Sequence, residues 1–222
     1  IVDADEFMIV NGNKKISEFL KDYEKYAALA VNWVMYDYGG LLKKPEGLVL
    51  ENYRTVHGKF HPKNLHVKSV INPRKVALCV NPHYCEYKGG NYAVNENFEK
   101  VVGPVTAVQS IEKIRLNHYY CKSYEEYEAK VARGLADSYF KYIIKKEDYA
   151  FDDATEDYVA GRFAGPVRSL MEKGVCKSFP WSETLRCMTG WSETIRLTKA
   201  RTFPVLTIGR KILAFLPDII SF

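Results

Sequence analysis

The sequence predicts an α/β fold, and three observations carry that prediction. Four short runs, Val31 to Tyr36, Lys68 to Pro73, Val76 to Val80 and Lys113 to Tyr119, have the composition and bounding turn residues of strands. Two stretches with apolar residues at helical spacing, one after Ser17 and one after Ser123, lie among them. Beyond about Lys145 the character changes, so residues 1–145 read as one domain and 146–222 as a mostly helical extension.

Composition narrows the class. With 222 residues, 47% hydrophobic and 14% aromatic, the chain is globular and long enough to bury a substantial core. A formal charge of +5 permits an acidic ligand without requiring nucleic acid. The five cysteines (Cys79, Cys85, Cys121, Cys176, Cys187) are odd in number and lack C-x-x-C spacing, which argues against a zinc knuckle or a full disulfide framework and favours a reducing compartment. No signal peptide or membrane span is visible. The chain begins at Ile1 directly on an acidic stretch, so it reads as a piece of a longer protein.

That stretch is Asp3-Ala4-Asp5-Glu6-Phe7. Ile1 and Val2 read as the end of a buried strand that delivers it to the carboxyl edge of a sheet, where ligands of open α/β folds sit. On an extended segment, carboxylates two positions apart share a side, so Asp3 and Asp5 can reach one hard divalent cation. The alternative is a pair of solvated turn residues. Ser17 then caps a helix with an apolar face of Phe19, Leu20, Tyr23, Ala27 and Ala30. The Val31–Tyr36 strand ends in Asp37-Tyr38-Gly39-Gly40. Trp33 and Tyr36 read first as core residues and second as a stacking wall for a sugar ring.

Glu46 to Tyr53 reads as a strand or short helix, and the loop from His57 to His66 as solvated, because its histidines lack the spacing of a zinc site. Tyr87 to Asn97 reads as a loop, either a lid or a surface excursion, with Glu86 and Glu96 as its acidic groups. The strand ending at Asn117-His118-Tyr119 is followed by a capping box, Ser123 with Glu126, which starts a long helix through Tyr124, Tyr127, Val131, Leu135, Tyr139 and Ile143. Gly134 inside it suggests close packing. An acidic linker, Glu147 to Asp157, leads to a helix over 166–173. A near-repeat follows, Trp181-Ser-Glu-Thr-Leu-Arg and Trp191-Ser-Glu-Thr-Ile-Arg, with too few copies for a solenoid. The apolar and basic tail, 203–222, reads as a terminal packing helix, with peripheral membrane contact as the alternative.

In order, Asp3-x-Asp5-Glu6-Phe7, Trp33 with Gly40, Gly47 to Glu51, Lys68 to Pro73, Pro82-His83, Asn117 to Tyr119, Lys122-Ser123 and Arg133 to Asp137 resemble the catalytic half of GT-A glycosyltransferases of the family 92 kind and of related bacterial family 2-like enzymes. The resemblance covers roughly the first 140 residues. It implies the catalytic and acceptor-side part of a GT-A mixed-sheet fold, with the nucleotide-binding half upstream. The implied activity is metal-dependent, inverting transfer of a sugar from a nucleotide-sugar donor to a glycan or polysaccharide acceptor. Asp3, Asp5 and His118 would hold Mn²⁺ or Mg²⁺. Trp33, Gly40, Lys68 and Lys122 would bind substrate, the lysines as phosphate partners. The base that deprotonates the acceptor is left among Glu96, Glu86, His83 and Asp37.

The sequence departs from the pattern at Tyr36-Asp37, where the family has Phe-Gly, and at Leu41, where it has His. The compartment implied is the cytoplasm, at the inner face of a membrane, or a Golgi lumen in a eukaryote. The competing expectation is a non-catalytic carbohydrate- or partner-binding module. Nucleic-acid binding through Lys59 to Lys68 lacks the spacing of a stacking motif.

Overall fold

A computed structural model of the chain describes residues 2–58, 61–134 and 143–172. Contacts divide the chain into two units, the first running to Ala164 and the second starting at Gly165. Within the first unit the strands are β1 (Glu6–Val10), β2 (Ala28–Met35), β3 (Thr55–Val56), β4 (Val67–Ile71), β5 (Val76–Cys79), β6 (Cys85–Tyr87), β7 (Ala93–Val94), β8 (Lys100–Val101), β9 (Ile114–His118) and β10 (Thr155–Glu156). The helices are α1 (Ile16–Phe19), α2 (Val49–Asn52), α3 (Tyr124–Arg133), α4 (Lys146–Tyr149) and α5 (Ala164–Glu172), the last running into the second unit.

The main sheet is mixed, as an α/β domain allows. β2 pairs in parallel with β9 and β7 and antiparallel with β4, while β1 runs antiparallel to β9 and β8 antiparallel to β7. Partners across a ladder share a face, so Val10, Leu29, Val31, Val94, Ile114 and Leu116 form one apolar surface, covered by Phe19 and Tyr23. The other face carries Ala28, Ala30, Val67, Ala93 and Val101. Each fully buried Leu, Ile or Val contributes roughly 1.5–3 kcal/mol. These central strands are therefore the rigid platform on which the loops at the sheet edge are held.

Several expectations change here. Val2 is exposed and outside any strand, and Asp3 and Asp5 precede the amino end of β1, which begins at Glu6. The helix after Ser17 has Lys15 at its cap position and no side-chain cap, and it tightens into a 3-10 turn over Leu20–Tyr23. Ala27 lies beyond that turn and Ala30 is inside β2, a strand whose Val31, Trp33 and Val34 have the side chains that suit a sheet. Residues 93–96 are buried and supply β7 rather than a lid. The capping box holds as expected, with Ser123 Oγ accepting from Glu126 N at 3.2 Å. α3 ends at Arg133, because Gly134 takes φ 77, a left-handed geometry that only glycine adopts cheaply. Among the described residues, a Cβ there would meet nothing within 4 Å.

Residues 146–164 belong to the first unit rather than to an extension. β10 pairs with β3, Asp148 binds Lys63 at 2.8 Å, and Asp157 makes a two-pronged pair with Arg115 at 2.6 and 2.7 Å. An acidic stretch that satisfies a buried arginine and a half-buried lysine is an anchor and not a linker. Leu135, Tyr139, the tail, both Trp-Ser-Glu-Thr copies, Cys176 and Cys187 lie outside the described residues. No helix among the described residues is long and apolar enough to cross a membrane.

Candidate functional site

The β1–β9 register sets Glu6 opposite His118, and the β2–β9 register sets Met35 opposite His118. β1 runs against β9, so its amino end lies at the carboxyl edge of β2 and β9, the edge where α/β sheets place ligands. The acidic residues reach that edge on a turn. Glu6 N donates to the Asp3 carbonyl at 3.0 Å, and Asp3 N donates to Glu6 Oε2 at 2.9 Å.

This turn sends the two aspartates to different partners. Lys68 Nζ lies 3.0 Å from Asp3 Oδ2 and 3.5 Å from Glu6 Oε2, and Lys130 Nζ lies 2.8 Å from Asp5 Oδ2. Lys130 also donates to the Tyr120 carbonyl at 2.9 Å and sits 3.8 Å from the centre of the Tyr120 ring. Lys68 reaches the acidic turn from β4 because Lys68 pairs with Val31 and so faces the same side as Trp33 and Glu6. Its side chain is 2% exposed, which an ammonium tolerates only beside carboxylates.

His118 stands between these charges. Its Nε2 is 3.8 Å from Asp5 Oδ1 and its Nδ1 is 4.0 Å from Glu6 Oε1, both too far for hydrogen bonds. Among the described residues, His118 Nδ1 and Glu6 Oε1 are buried without hydrogen-bond partners. Burial lowers the imidazole to about 4, the lysine charges adding to the effect and the aspartates opposing it, so His118 is neutral at neutral pH. Burial would raise Asp5, yet the Lys130 hydrogen bond and the Lys130 charge outweigh it and hold the carboxyl below the usual range. Burial raises Glu6 against the pull of the Asp3 amide and Lys68.

Trp33 joins the acidic turn to three imidazoles, its ring centre 4.4 Å from His118, 5.1 Å from His66 and 5.1 Å from His83. His83 Nδ1 is 2.9 Å from the Val67 carbonyl and must donate to it, which leaves Nε2 as an acceptor. Burial holds the His83 ring below its ordinary value.

The fold thus brings together Asp3, Asp5, His118, Lys68, Trp33 and His83. It places the other candidates elsewhere. Glu96 is 1% exposed and accepts four hydrogen bonds of 2.7–2.8 Å, from Ser110 Oγ, Glu112 N, Lys113 N and Ile114 N, so its carboxylate is spent on bracing the entry to β9. Asp37 is buried and accepts from Gly39 N and Thr55 Oγ1, closing its own turn. Glu86 is exposed on β6. Gly40, with φ 76, is an exposed turn residue. Lys122 is half-buried with φ 56 in the bend before α3.

Sequence reasoning missed Lys130 and His66. Lys130 is three residues beyond Tyr127 on the face of α3 that carries the buried tyrosine, and a charge on such a face signals a buried partner. His57 is also buried, on Phe151, with Nδ1 3.0 Å from Asp153 Oδ1. The histidine loop is therefore not solvated as its composition suggested.

Among the described residues, no group of three or more His, Cys, Asp or Glu side chains converges as a cation site. The pair Asp5–His118 is the candidate for two positions of one. Octahedral ligands at about 2.1 Å from a shared ion sit about 3.0 Å apart when adjacent and about 4.2 Å when opposite; their 3.8 Å separation is neither, so the two side chains must close by about 0.8 Å to bind as neighbours. A neutral imidazole and a carboxylate also form a suitable donor set for Mn²⁺. Asp3, with Oδ2 on Lys68, is the adjoining third candidate.

No protein-family model matches this chain, and comparison with curated proteins finds no match.

Proposed function

We propose that the first unit is the catalytic and acceptor-side part of a metal-dependent, inverting GT-A glycosyltransferase, which moves a sugar from a nucleotide-sugar donor to a glycan or polysaccharide acceptor. The observation that carries the reading is the meeting of Asp5 with a neutral His118, 3.8 Å apart, at the carboxyl edge of β2 and β9. Asp5 and His118, with Asp3 beside them, would hold the cation, whose charge stabilises a departing diphosphate.

The chain's own groups supply the rest. Lys130 and Lys68 supply positive charge beside that position and can pair with phosphate oxygens in place of carboxylates. Trp33 positions His118 and His83 on one indole. His83 Nε2 can accept the proton of an acceptor hydroxyl, and of the four candidate bases His83 alone packs against this cluster.

One observation favours a second reading, a non-catalytic carbohydrate- or partner-binding module: each aspartate already has a lysine, so the cluster is neutralised without any cation. Transfer from a panel of nucleotide sugars, measured on the full-length protein with and without Mn²⁺, separates the two. Asp5→Asn should abolish metal-dependent transfer while urea unfolding stays cooperative. Transfer that survives both Asp5→Asn and Asp3→Asn would overturn the enzyme reading, and absence of any Mn²⁺-dependent nucleotide affinity would favour the module.

A further inference from the structure

Two of the cysteines face each other. Cys79 on β5 and Cys85 on β6 are register partners of an antiparallel pair, and their Sγ atoms are 3.0 Å apart. Both are free thiols, Cys79 exposed and Cys85 buried. β5 and β6 form a two-stranded sheet of their own, joined by the turn that holds His83. That turn is built on Asn81, whose Oδ1 accepts from His83 N at 2.8 Å and Tyr84 N at 3.3 Å. His83 ties it to the main sheet through the Val67 carbonyl and through Ser69 Oγ, which donates to the His83 carbonyl at 2.9 Å.

We propose that Cys79 and Cys85 are a redox-active pair that closes a reversible disulfide across this hairpin, clamping the His83 turn against Trp33. The inference stands on the hairpin alone and is independent of the function proposed above. Register partners on adjacent antiparallel strands have the backbone separation a disulfide spans, so the bond can close by side-chain rotation alone.

The roles of the two sulfurs differ. Cys79 is open to solvent, where an oxidant can reach it, and receives the Cys85 S–H as a hydrogen bond. Burial, together with the neighbouring Cys79, pushes the Cys85 thiol up to about 12, so Cys85 stays protonated until the second step. With oxidised glutathione as the oxidant, the Cys79 thiolate attacks one glutathione sulfur, forming a mixed disulfide and expelling one glutathione thiolate. Cys85 then loses its proton to solvent and attacks Cys79 Sγ, releasing the second glutathione. Two protein thiols are oxidised to one disulfide, and one glutathione disulfide is reduced to two thiols.

The test uses the native full-length chain incubated with excess oxidised glutathione, then alkylated and mapped under non-reducing conditions. The expected result is loss of two free thiols, a Cys79–Cys85 cross-linked peptide, and complete reversal by dithiothreitol. Cys121, 1% exposed, should remain free and serves as the internal control. Cys85→Ser should stop at a stable glutathione adduct on Cys79, and Cys79→Ser should leave Cys85 unmodified. A stable adduct on wild-type Cys79 with Cys85 still free, no reaction at either thiol, or a cross-link from Cys79 to Cys176 or Cys187 would each overturn the proposal.

Discussion

Replacing Lys130 with Met removes the ammonium that holds Asp5 while keeping most of the aliphatic stem over Tyr120. In the wild-type chain, Lys130 Nζ makes a 2.8 Å charged hydrogen bond to Asp5 Oδ2, with the two side chains only 25% and 17% exposed. A hydrogen bond of that kind is worth about 1.5–3 kcal/mol. A cation arriving at Asp5 and His118 must weaken it or sit against a like charge, so it forfeits a comparable amount. At 1.4 kcal/mol per decade, Lys130→Met should bind Mn²⁺ roughly 10- to 100-fold more tightly than the wild type.

Titration of the free Mn²⁺ signal by electron paramagnetic resonance reads this directly, with circular dichroism and urea unfolding as controls for folding. Adding Asp5→Asn to Lys130→Met should erase the gain, because the two residues share one interaction. Equal or weaker Mn²⁺ affinity in a well-folded Lys130→Met would refute the reasoning. Asp5 would then be an ion-pair partner and nothing more.

Three other outcomes follow from the same contacts. Asp157→Ala leaves Arg115, 4% exposed, as a buried unpaired cation; it should cost about 3–5 kcal/mol in urea unfolding, while Arg115→Met with Asp157→Leu should recover much of that loss. Glu96→Ala strips the acceptor from three backbone amides and Ser110, so a loss of at least about 3 kcal/mol is expected, together with faster hydrogen exchange at Glu112, Lys113 and Ile114. The third concerns pH. His118 stays neutral in the folded chain down to about 4, whereas the unfolded chain takes up the proton near 6.5. The unfolded state therefore binds more protons in between, and stability that is fully present above about pH 6.5 is lost as pH falls toward 4, by on the order of 3 kcal/mol. His57, lowered to about 4 by burial, acts in the same direction. Urea midpoints at neutral and acidic pH should converge in a His118→Gln, His57→Gln double variant, and an unchanged slope there would assign the acid sensitivity elsewhere.

The elements legible in the sequence are those set by local chemistry. β9 follows from its alternation, the start of α3 from Ser123 and Glu126, and the stop at β4 from Pro73. What the sequence could not show depends on partners far along the chain. Asp157 reads as part of a polar linker until Arg115, 42 positions away, is placed against it. Glu96 sits in an Asn-rich stretch and reads as exposed, because its four donors belong to residues 110–114. The divergence of Asp3 and Asp5 has the same origin. Their shared orientation assumes an extended backbone, and the turn that breaks it is locked by the Glu6 side chain beside Lys68, which comes from β4.

His118 shows how the core produces the chemistry of the edge. Ile114, Leu116 and His118 occupy one face of β9, and all five residues of that strand are buried. Two apolar residues followed by an imidazole extend the core row to the point where the acidic turn begins. The burial that stabilises Ile114 and Leu116 also withholds water from His118, and withheld water keeps the ring uncharged. A protonated ring would repel a cation and close an ion pair with Asp5, whereas a neutral one offers a lone pair at Nε2. Polar substitution of Leu116 should therefore raise the His118 titration as well as lower stability, since both depend on the same dry surface.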